Sequence, residues 1–401
     1  MIRLALVVSY FPTEHRPHSG MPFFNKARAL ARHCHLSVYV LAPRYPQSPL
    51  LQPRRFGHRA GETPLELPDV RVEYVPYPAF PVLTRLLNGW QCARGLRPRL
   101  ESFQPDVVVS YQLYPEAFGA VAAAGSLGIP SIAGAIGSDL RCSGAALRPL
   151  IRKTMSDASA VITVCDDLTN RAVGMGIPRS KVHTVSNGCD RRVFFPRHRG
   201  ESRQALGVPP DTRLVVFTGN LVEVKGLPHL IAAVARLRDR GEPVEAALIG
   251  AGPLESRLRR QAHALGIADR IRFLGSKPPG EVAEWLSAAD LFCLPSSSEG
   301  SPNVIAEALC CGRPVVASRV GGIPDLVDER CGRLVPPADP EGLAEAISAA
   351  LRREWNESEI SRSFSRSWDD VAREILHLCE EIRTGAAEPR KAEPVAVGAA
   401  S

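Results

Sequence analysis

The stretch LFCLPSSSEGSPNVIAEALCCGRPVVASRVGG, residues 291–322, contains the elements of one α/β unit. Its first four residues form an apolar run that predicts a buried strand, and the polar residues after them predict a loop. Ser301 can cap a helix whose first position is Pro302, because the N–H that proline lacks would be unpaired there anyway. Gly312 is typical of the end of such a helix. A strand therefore leads through a loop to a helix N-terminus, where unpaired N–H groups favour an anion.

Two glutamates flank the start of this predicted helix. Glu307 shares a helix face with Asn303, four residues earlier. Its two carboxylate oxygens suit the two vicinal hydroxyls of a ribose. Glu299 lies in the loop, near the same anion site. The spacing is weak evidence by itself, because two surface glutamates can stand eight residues apart by chance.

Short apolar strands alternate with helical stretches along most of the chain. Strands are predicted at 4–9, 35–41, 106–110, 130–136, 159–164, 181–185, 213–218, 245–249, 271–274, 290–294, 314–318 and 333–335. This alternation predicts an α/β protein with two doubly wound parallel sheets, in domains 1–190 and 191–362. A last helix is expected at 368–383. Residues 384–401 lack bulky apolar side chains and are expected to be a disordered tail.

The composition is that of a globular protein with an ordinary core. Hydrophobic residues make up 45% of the chain and charged residues 23%, which excludes a collagen, a disordered chain and a disulfide knot. We find neither a secretory signal pattern nor 18 uninterrupted apolar residues, so we expect a cytoplasmic protein without a spanning helix. The ten cysteines include no C-x-x-C pair and are expected to be buried, reduced thiols.

Positive charge is concentrated in the first half of the chain. Residues 1–190 carry 21 Lys and Arg against 13 Asp and Glu, whereas residues 191–401 carry 28 against 29. This excess favours an anionic partner, whether nucleic acid, a phosphorylated substrate or an acidic membrane surface. A basic loop is predicted at 54–59. A second segment combines apolar and arginine side chains in a basic amphipathic stretch: Arg85, Leu86, Leu87, Trp90, Arg94, Arg97 and Arg99. This stretch is either a solvated helix face or a contact with a membrane surface or lipid diphosphate.

Four motifs resemble those of the retaining glycosyltransferases of family 4, which have the two-domain GT-B fold. Residues Glu299 to Glu307, followed by GGIP at 321–324, resemble the E-x7-E region of that family. Its domain-joining N-G-x-D and F-x-P signature resembles NGCD at 187–190 with Phe195 and Pro196. Its lysine-bearing loop resembles TGNLVEVKG at 218–226, and its G-x-G-P turn resembles GAGP at 250–253.

The resemblance implies transfer of a sugar, with retention, from a UDP- or GDP-linked sugar to a hydroxyl of a saccharide or lipid-linked saccharide in cell-surface polysaccharide biosynthesis. Lys225, with Asn220, would stabilise the leaving diphosphate, and Glu299 would contact the donor sugar near the reacting carbon. Glu307 would bind the ribose. The remaining donor-site positions would be Gly219, Gly250, Gly252, Gly300, Ser301, Pro302, Asn303 and Val304.

The same resemblance places Gly20 and Asp139 on the first-domain side of a cleft, against which the helix 368–383 would return. It implies no cofactor, no metal and no nucleic acid. The chain contains no D-x-D tripeptide and no cluster at metal-ligand spacing. A cytoplasmic enzyme acting peripherally at the inner face of the membrane fits these expectations.

Two positions depart from the family pattern. Ile136 stands where many relatives have a histidine that touches the donor sugar, and Asn220 stands where an arginine usually accompanies the lysine. Two other functions therefore stay open. One is an epimerase or phosphorylase of the same fold, and the other is a non-catalytic protein that binds nucleotide sugars.

Overall fold

The computed structural model describes residues 1–16, 19–45, 64–79, 85–141 and 144–385. The basic loop predicted at 54–59 lies outside these residues, as does the predicted tail from residue 386 onward. The chain divides into two compact units. Unit 1 comprises Met1–Thr163, Leu168–Val185 and Ala372–Ser401, and unit 2 comprises Val164–Asp167 and Ser186–Val371. Within the described ranges, no helix has the length and apolar character needed to cross a membrane.

Unit 1 is built on a parallel sheet of seven strands in the order β3-β2-β1-β4-β5-β6-β7. The strands are β1 (Arg3–Val8), β2 (His35–Arg44), β3 (Arg71–Pro78), β4 (Val107–Tyr111), β5 (Ser131–Ala135), β6 (Ala160–Thr163) and β7 (Val182–Thr184). The helices are α1 (Met21–Leu30), α2 (Asn88–Phe103), α3 (Phe118–Gly125), α4 (Ser138–Arg141), α5 (Arg148–Asp157) and α6 (Asp166–Gly174). A single π-helical turn, Leu113–Ala117, precedes α3.

Unit 2 repeats the design with six parallel strands in the order β10-β9-β8-β11-β12-β13. The strands are β8 (Leu214–Thr218), β9 (Glu245–Ile249), β10 (Ile271–Gly275), β11 (Leu291–Leu294), β12 (Val315–Ser318) and β13 (Gly332–Val335). The helices are α7 (Arg199–Leu206), α8 (Leu227–Asp239), α9 (Glu255–Ala264), α10 (Pro279–Ala288), α11 (Asn303–Cys310), α12 (Pro340–Arg352) and α13 (Glu357–Ser363). The last helix, α14 (Trp368–Thr384), passes from unit 2 into the part of the chain assigned to unit 1.

The central strands of both sheets are continuous apolar runs because helices cover both of their faces. All side chains of β4 and β8 are buried. These runs are the strands that the sequence predicts, so the α/β class and the doubly wound architecture are confirmed. The nine cysteines in the described ranges are buried and form no disulfide bond, as predicted.

The sequence analysis missed strand β3. Its residues RVEYVPYP mix charges and prolines with apolar residues, and only Val75 and Tyr77 among them are buried. Pro76 lies within the strand, which is tolerated because β3 is at the edge of the sheet. An edge strand needs no continuous apolar run, so the signal used for the other strands is absent from it.

The start of α11 also differs from the prediction. Pro302 is the N-cap residue, with extended backbone at φ −74° and ψ 109°, and no side chain caps the helix. The prediction that Ser301 caps the helix and that Pro302 is its first residue was therefore wrong. The predicted end is confirmed, because Cys311 is the C-cap and Gly312 follows it at φ +75°.

The order of strands along each sheet reverses direction at one point. In unit 1 this switch point lies between β1 and β4, and in unit 2 it lies between β8 and β11. The loops that leave the carboxyl ends of two such strands run to opposite sides of the sheet and leave a crevice where ligands bind. The loops after β8 and β11 are the two segments that carry Lys225 and Glu299.

Gly226 lets the loops after β8 and β11 approach closely. It has φ +65°, and a Cβ at this position would lie 1.9 Å from the carbonyl oxygen of Pro295. Gly207 has nearly the same backbone, φ +64°, but a Cβ there would meet nothing within 4 Å. The left-handed backbone strain of an alanine is thus common to both sites, and only Gly226 adds a collision with backbone.

We expect Gly226→Ala to lower the free energy of unfolding by about 3 kcal/mol or more, and Gly207→Ala by only about 1 kcal/mol. Urea denaturation of the two variants and the native chain measures both losses. Equal losses of unfolding free energy would show that the contact with Pro295 relaxes without cost. Backbone strain alone would then explain why glycine is needed at position 226.

Candidate functional site

Two glycine-containing turns pack against each other at the switch point of unit 2. The N–H of Gly219 donates to the carbonyl of Ile249 at 2.9 Å, and that of Leu221 donates to the carbonyl of Ala251 at 3.0 Å. A Cβ on Gly250 would lie 1.9 Å from the oxygen of Gly219, and one on Gly252 would lie 2.4 Å from the oxygen of Leu221. The G-x-G-P turn is therefore a tight turn that supports the loop leading to Lys225.

Lys225 ends a short 3-10 turn, and its side chain forms an ion pair with Glu299. Nζ lies 2.6 Å from Oε1 of Glu299. The hydroxyl of Ser296 donates to the same oxygen, also at 2.6 Å. Only 20% of the Lys225 side chain and 9% of the Glu299 side chain are exposed. The sequence analysis gave these two residues separate roles and did not predict that they pair, and Ser296 was missed.

The loop between β11 and α11 is held in place by its own backbone. The N–H of Ser297 donates to the carbonyl of Val224 at 2.8 Å, next to Lys225. The N–H of Gly322 donates to the carbonyl of Gly300 at 2.9 Å. These bonds fix Ser301 and Pro302 between Glu299 and the first turn of α11.

The first turn of α11 contacts the N-G-x-D motif. The side-chain amide of Asn187 donates to Oδ1 of Asn303 at 2.9 Å. The sequence analysis identified both motifs but did not predict this contact, because 116 residues separate the two asparagines. Val304 follows Asn303 and packs against the core of unit 2.

Glu307 lies on α11, one turn after Asn303. Its side chain is partly buried, and this burial raises the pKa of its carboxyl to about 7. The group can therefore exchange a proton near neutral pH. Asn220, in contrast, is exposed on the loop after β8. The structure thus gathers the lysine loop, Glu299 and the start of α11 at the carboxyl end of one sheet.

The two site residues predicted in the first half of the chain both lie in unit 1. Gly20 is the N-cap residue of α1 with φ +78°, and a Cβ there would lie 2.8 Å from the backbone of Tyr10. The carboxylate of Asp139 accepts hydrogen bonds from the backbone N–H groups of Leu113, Ile136, Gly137 and Leu140, at 2.9 to 3.3 Å. Asp139 therefore holds together the loops that follow β4 and β5.

A buried glutamate in unit 1 was missed by the sequence analysis. Glu116 lies in the π-helical turn after β4 and is only 8% exposed. Burial, together with the Asp139 carboxylate, raises the pKa of its carboxyl to about 8. The sequence places Glu116 in an Ala-rich helical stretch, and nothing in that stretch indicates that neighbouring elements bury its carboxyl.

The residues that the structure describes include no group of three or more His, Cys, Asp or Glu placed to hold a metal ion.

Two doubly wound units, with a lysine loop and an E-x7-E helix at the switch point of the second, define a GT-B glycosyltransferase. Residues 23–188 match the family model described as a glycosyl transferase 4-like domain, and residues 198–367 match the model described as glycosyl transferases group 1. The chain therefore belongs to glycosyltransferase family 4.

Individual relatives agree with this assignment. TuaC of Bacillus subtilis, whose name assigns it provisionally to teichuronic acid biosynthesis, is 28% identical over 86% of this chain and 88% of its own length. D-inositol 3-phosphate glycosyltransferase 2 of Catenulispora acidiphila is 37% identical over 44% of each chain. This chain spans about half the length of the inositol phosphate glycosyltransferases that it matches.

A solved structure shows the same fold at low sequence identity. The HepE protein of Anabaena, crystallised with UDP and glucose, superimposes with a TM-score of 0.70 over 96% of this chain and 99% of its own length. The two sequences are 19% identical.

The raised pKa of Glu116 predicts a pH-dependent loss of stability. Between the ordinary value of 4.5 and the folded value of about 8, the folded chain binds more protons at this carboxyl than the unfolded chain does. Stability therefore falls as pH rises through this range. We expect Glu116→Gln to abolish this dependence. The free energy of unfolding of the variant minus that of the native chain should therefore increase by up to about 4 kcal/mol between pH 5 and pH 9.

Urea denaturation at pH 5, 7 and 9 measures the difference. Glu101→Gln, at an exposed position of α2 in the same unit, is the matched control and should leave the pH profile unchanged. If the difference in unfolding free energy between Glu116→Gln and the native chain were the same at all three pH values, Glu116 would be ionised throughout this range.

Proposed function

We propose that this chain transfers a sugar, with retention at the anomeric carbon, from a nucleotide-diphosphate sugar to a hydroxyl group of a saccharide or lipid-linked saccharide. The ion pair between Lys225 and Glu299, beside the start of α11, is the observation that carries the proposal. The HepE structure with UDP and glucose supports a UDP-linked donor. The provisional teichuronic acid assignment of TuaC supports a role in cell-surface polysaccharide biosynthesis.

The proposed role of Lys225 is to stabilise the departing nucleoside diphosphate. Negative charge on this group grows as the glycosidic bond breaks, and a nearby ammonium stabilises it increasingly. Glu299 holds the ammonium in position before the donor binds, so little reorganisation is needed. The backbone N–H groups at the start of α11 supply further donors for the phosphates, and Asn220 supplies an exposed amide on the same loop. These groups take the place of a metal ion in our proposal.

Glu299 and Glu307 are assigned to different parts of the donor. Oε1 of Glu299 already accepts hydrogen bonds from Lys225 and Ser296, so we assign Oε2 to a hydroxyl of the sugar. Glu307 lies further along α11, and we assign its carboxyl to the ribose hydroxyls. The other donor-site positions act through their backbone groups: Gly219, Gly250, Gly252, Gly300, Ser301, Pro302, Asn303 and Val304. Gly20 and Asp139 are assigned to shaping unit 1.

We expect UDP to raise the melting temperature of the native chain equally with and without EDTA. Glu307→Ala should reduce this shift, because it loses hydrogen bonds worth about 1.5–3 kcal/mol.

Lys225→Ala should lower kcat for the true donor more than it raises KM, since the interaction of the Lys225 ammonium with the diphosphate strengthens in the transition state. Calorimetric or fluorescence melting, followed by UDP-release kinetics on a panel of UDP sugars, measures these effects.

Arg260→Ala, at an exposed position of α9, serves as the control and should behave like the native chain. A UDP shift that disappears in EDTA would contradict metal-independent binding. Wild-type rates in both site variants would contradict the residue assignment. Donor binding without sugar transfer or donor hydrolysis would instead identify a non-catalytic nucleotide-sugar-binding protein.

An exposed apolar surface at the start of α2 supports peripheral attachment to a membrane. Leu86, Leu87 and Trp90 are 46%, 53% and 48% exposed, and we call these residues the Leu86 patch. Arg94 and Arg97 are exposed on the same helix, one and two turns further along. Arg99, by contrast, is paired with Glu73 at 2.6 Å, so the predicted basic stretch ends before it.

We propose that the Leu86 patch docks on an anionic membrane surface at the cytoplasmic face. Apolar side chains bounded by arginines are typical of reversible interfacial binding. Each arginine near such a surface contributes about 1 kcal/mol, screened beyond a Debye length of about 10 Å. Such docking would bring the enzyme to a lipid-linked acceptor.

We expect the native chain to sediment with vesicles containing phosphatidylglycerol but not with neutral phosphatidylcholine vesicles, and to be released by high salt. Arg94→Glu with Arg97→Glu should abolish sedimentation. The charge-matched control is Arg152→Glu with Arg260→Glu, at two exposed positions outside the patch, and it should retain most of the binding. Equal sedimentation with both vesicle types would point to an acceptor in solution.

A further inference from the structure

A cavity of about 550 Å³ lies beside β13, the edge strand of the unit 2 sheet. A volume of this size is typical of sites that bind small molecules. The residues that line the cavity belong to the connection between β12 and β13, to β13 itself and to the segment after α12. Since β12 separates β13 from β11 in the sheet, this cavity is distinct from the donor site proposed at the switch point between β8 and β11.

Three arginines from different elements line the cavity. Arg319 follows β12, Arg333 lies within β13, and Arg353 follows α12. The backbone N–H of Arg319 donates to the carbonyl of Val335 at 2.7 Å, which fixes Arg319 beside the end of β13. Nη1 of Arg353 donates to the carbonyl of Glu329 at 2.8 Å, which holds its guanidinium at the connection between β12 and β13. The fold therefore brings three guanidinium groups to one cavity.

Two of these guanidinium groups are available to a ligand. Arg319 and Arg333 are exposed. Neither side chain forms an ion pair or a hydrogen bond with any residue in the described ranges. Arg236 and Arg272 of the same unit differ in this respect, because each is paired with a glutamate. The planar guanidinium of arginine can donate two parallel N–H groups to the oxygens of one phosphate.

Two acidic residues also line the cavity, and only one of them keeps an uncompensated charge. The carboxylate of Asp328 accepts hydrogen bonds from Nε and Nη2 of Arg330, at 2.9 and 2.6 Å. Glu329 forms no ion pair with a residue that the structure describes. Three guanidinium charges against this one carboxylate leave the cavity with an excess of two positive charges.

Apolar side chains form another part of the cavity wall. Val327 is buried and Leu334 is half-buried. Val327 packs closely on Gly332, where a Cβ would lie 2.7 Å from Cγ1 of Val327. The N–H of Gly332 donates to the carbonyl of Asp328 at 2.8 Å. Close packing and backbone hydrogen bonds therefore fix this wall.

We propose that this cavity is a second binding site, outside the donor site, and that it takes a small ligand bearing a phosphate monoester. Such a group carries about 1.5 to 2 negative charges at neutral pH, which matches the excess of two positive charges. Its oxygens accept the N–H groups of Arg319 and Arg333, and the apolar wall contacts the carbon skeleton. The inference goes beyond glycosyl transfer, because no residue of this cavity is assigned to the donor.

Isothermal titration calorimetry tests the proposal with the full chain in the presence of excess UDP, which occupies the proposed donor site. A phosphate monoester can come from a phosphorylated sugar in solution or from a lipid headgroup, and one probe represents each source. The probes are glucose 6-phosphate and dihexanoyl phosphatidic acid below its micellar concentration, with glucose as the uncharged control. We expect at least one of the two phosphates to bind and glucose not to bind.

Variants of the lining residues should change the affinity in opposite directions. Arg319→Ala with Arg333→Ala should weaken binding of the phosphate by at least about tenfold, because both guanidinium groups supply charge-assisted hydrogen bonds. Glu329→Gln should strengthen binding about threefold, because it removes the uncompensated acid. The matched control is Arg260→Ala with Arg362→Ala, at two exposed positions of unit 2 outside the cavity, and it should bind like the native chain.

Lys225→Ala without UDP is titrated with the same probes and should bind them like the native chain, because the proposed diphosphate site lies elsewhere. Melting temperatures measured without ligand show that every variant folds. Binding of glucose 6-phosphate alone supports a soluble ligand, and binding of dihexanoyl phosphatidic acid alone supports a lipid headgroup. Three results would overturn the site: neither phosphate binds, the variant lacking both arginines binds like the native chain, or Lys225→Ala loses the binding.

Discussion

The ion pair between Lys225 and Glu299 is the interaction on which the candidate site of unit 2 is built. It joins the loops after β8 and β11, the two strands between which the sheet order reverses. A largely buried ammonium is stable there because a carboxylate lies 2.6 Å away and a hydroxyl donates to the same carboxylate. Gly226 makes this approach possible, since any side chain at that position would collide with the backbone of Pro295.

The same topology supports two chemistries in one chain. Unit 2 presents an ammonium, backbone N–H groups and carboxylates at its switch point, which suits a diphosphate and hydroxyl groups. Unit 1 has a buried glutamate, Glu116, and the hydrogen-bonded carboxylate of Asp139 in the loops after β4 and β5. The fold therefore fixes where ligands bind, and the side chains at each sheet edge decide which ligand binds.

Burial gives two glutamates properties that glutamates in water do not have. Desolvation raises the pKa of Glu307 to about 7 and, aided by Asp139, that of Glu116 to about 8. Each can then donate as well as accept a hydrogen bond near neutral pH. The carboxylate of Asp139 is used differently, because four backbone N–H groups already donate to it.

The sequence by itself determined the α/β class and the parallel strands, because continuous apolar runs are local signals, and its short motifs predicted Lys225, Glu299 and Glu307 as site residues. It did not predict edge strand β3, whose prolines and charges carry no such signal. It placed the cap of α11 one residue too early, at Ser301. Only the tertiary structure decided that Lys225 pairs with Glu299, that Asn187 contacts Asn303, and that Glu116 is buried. Each of these depends on strands that are distant in sequence and adjacent in the sheet, so no local pattern could encode it.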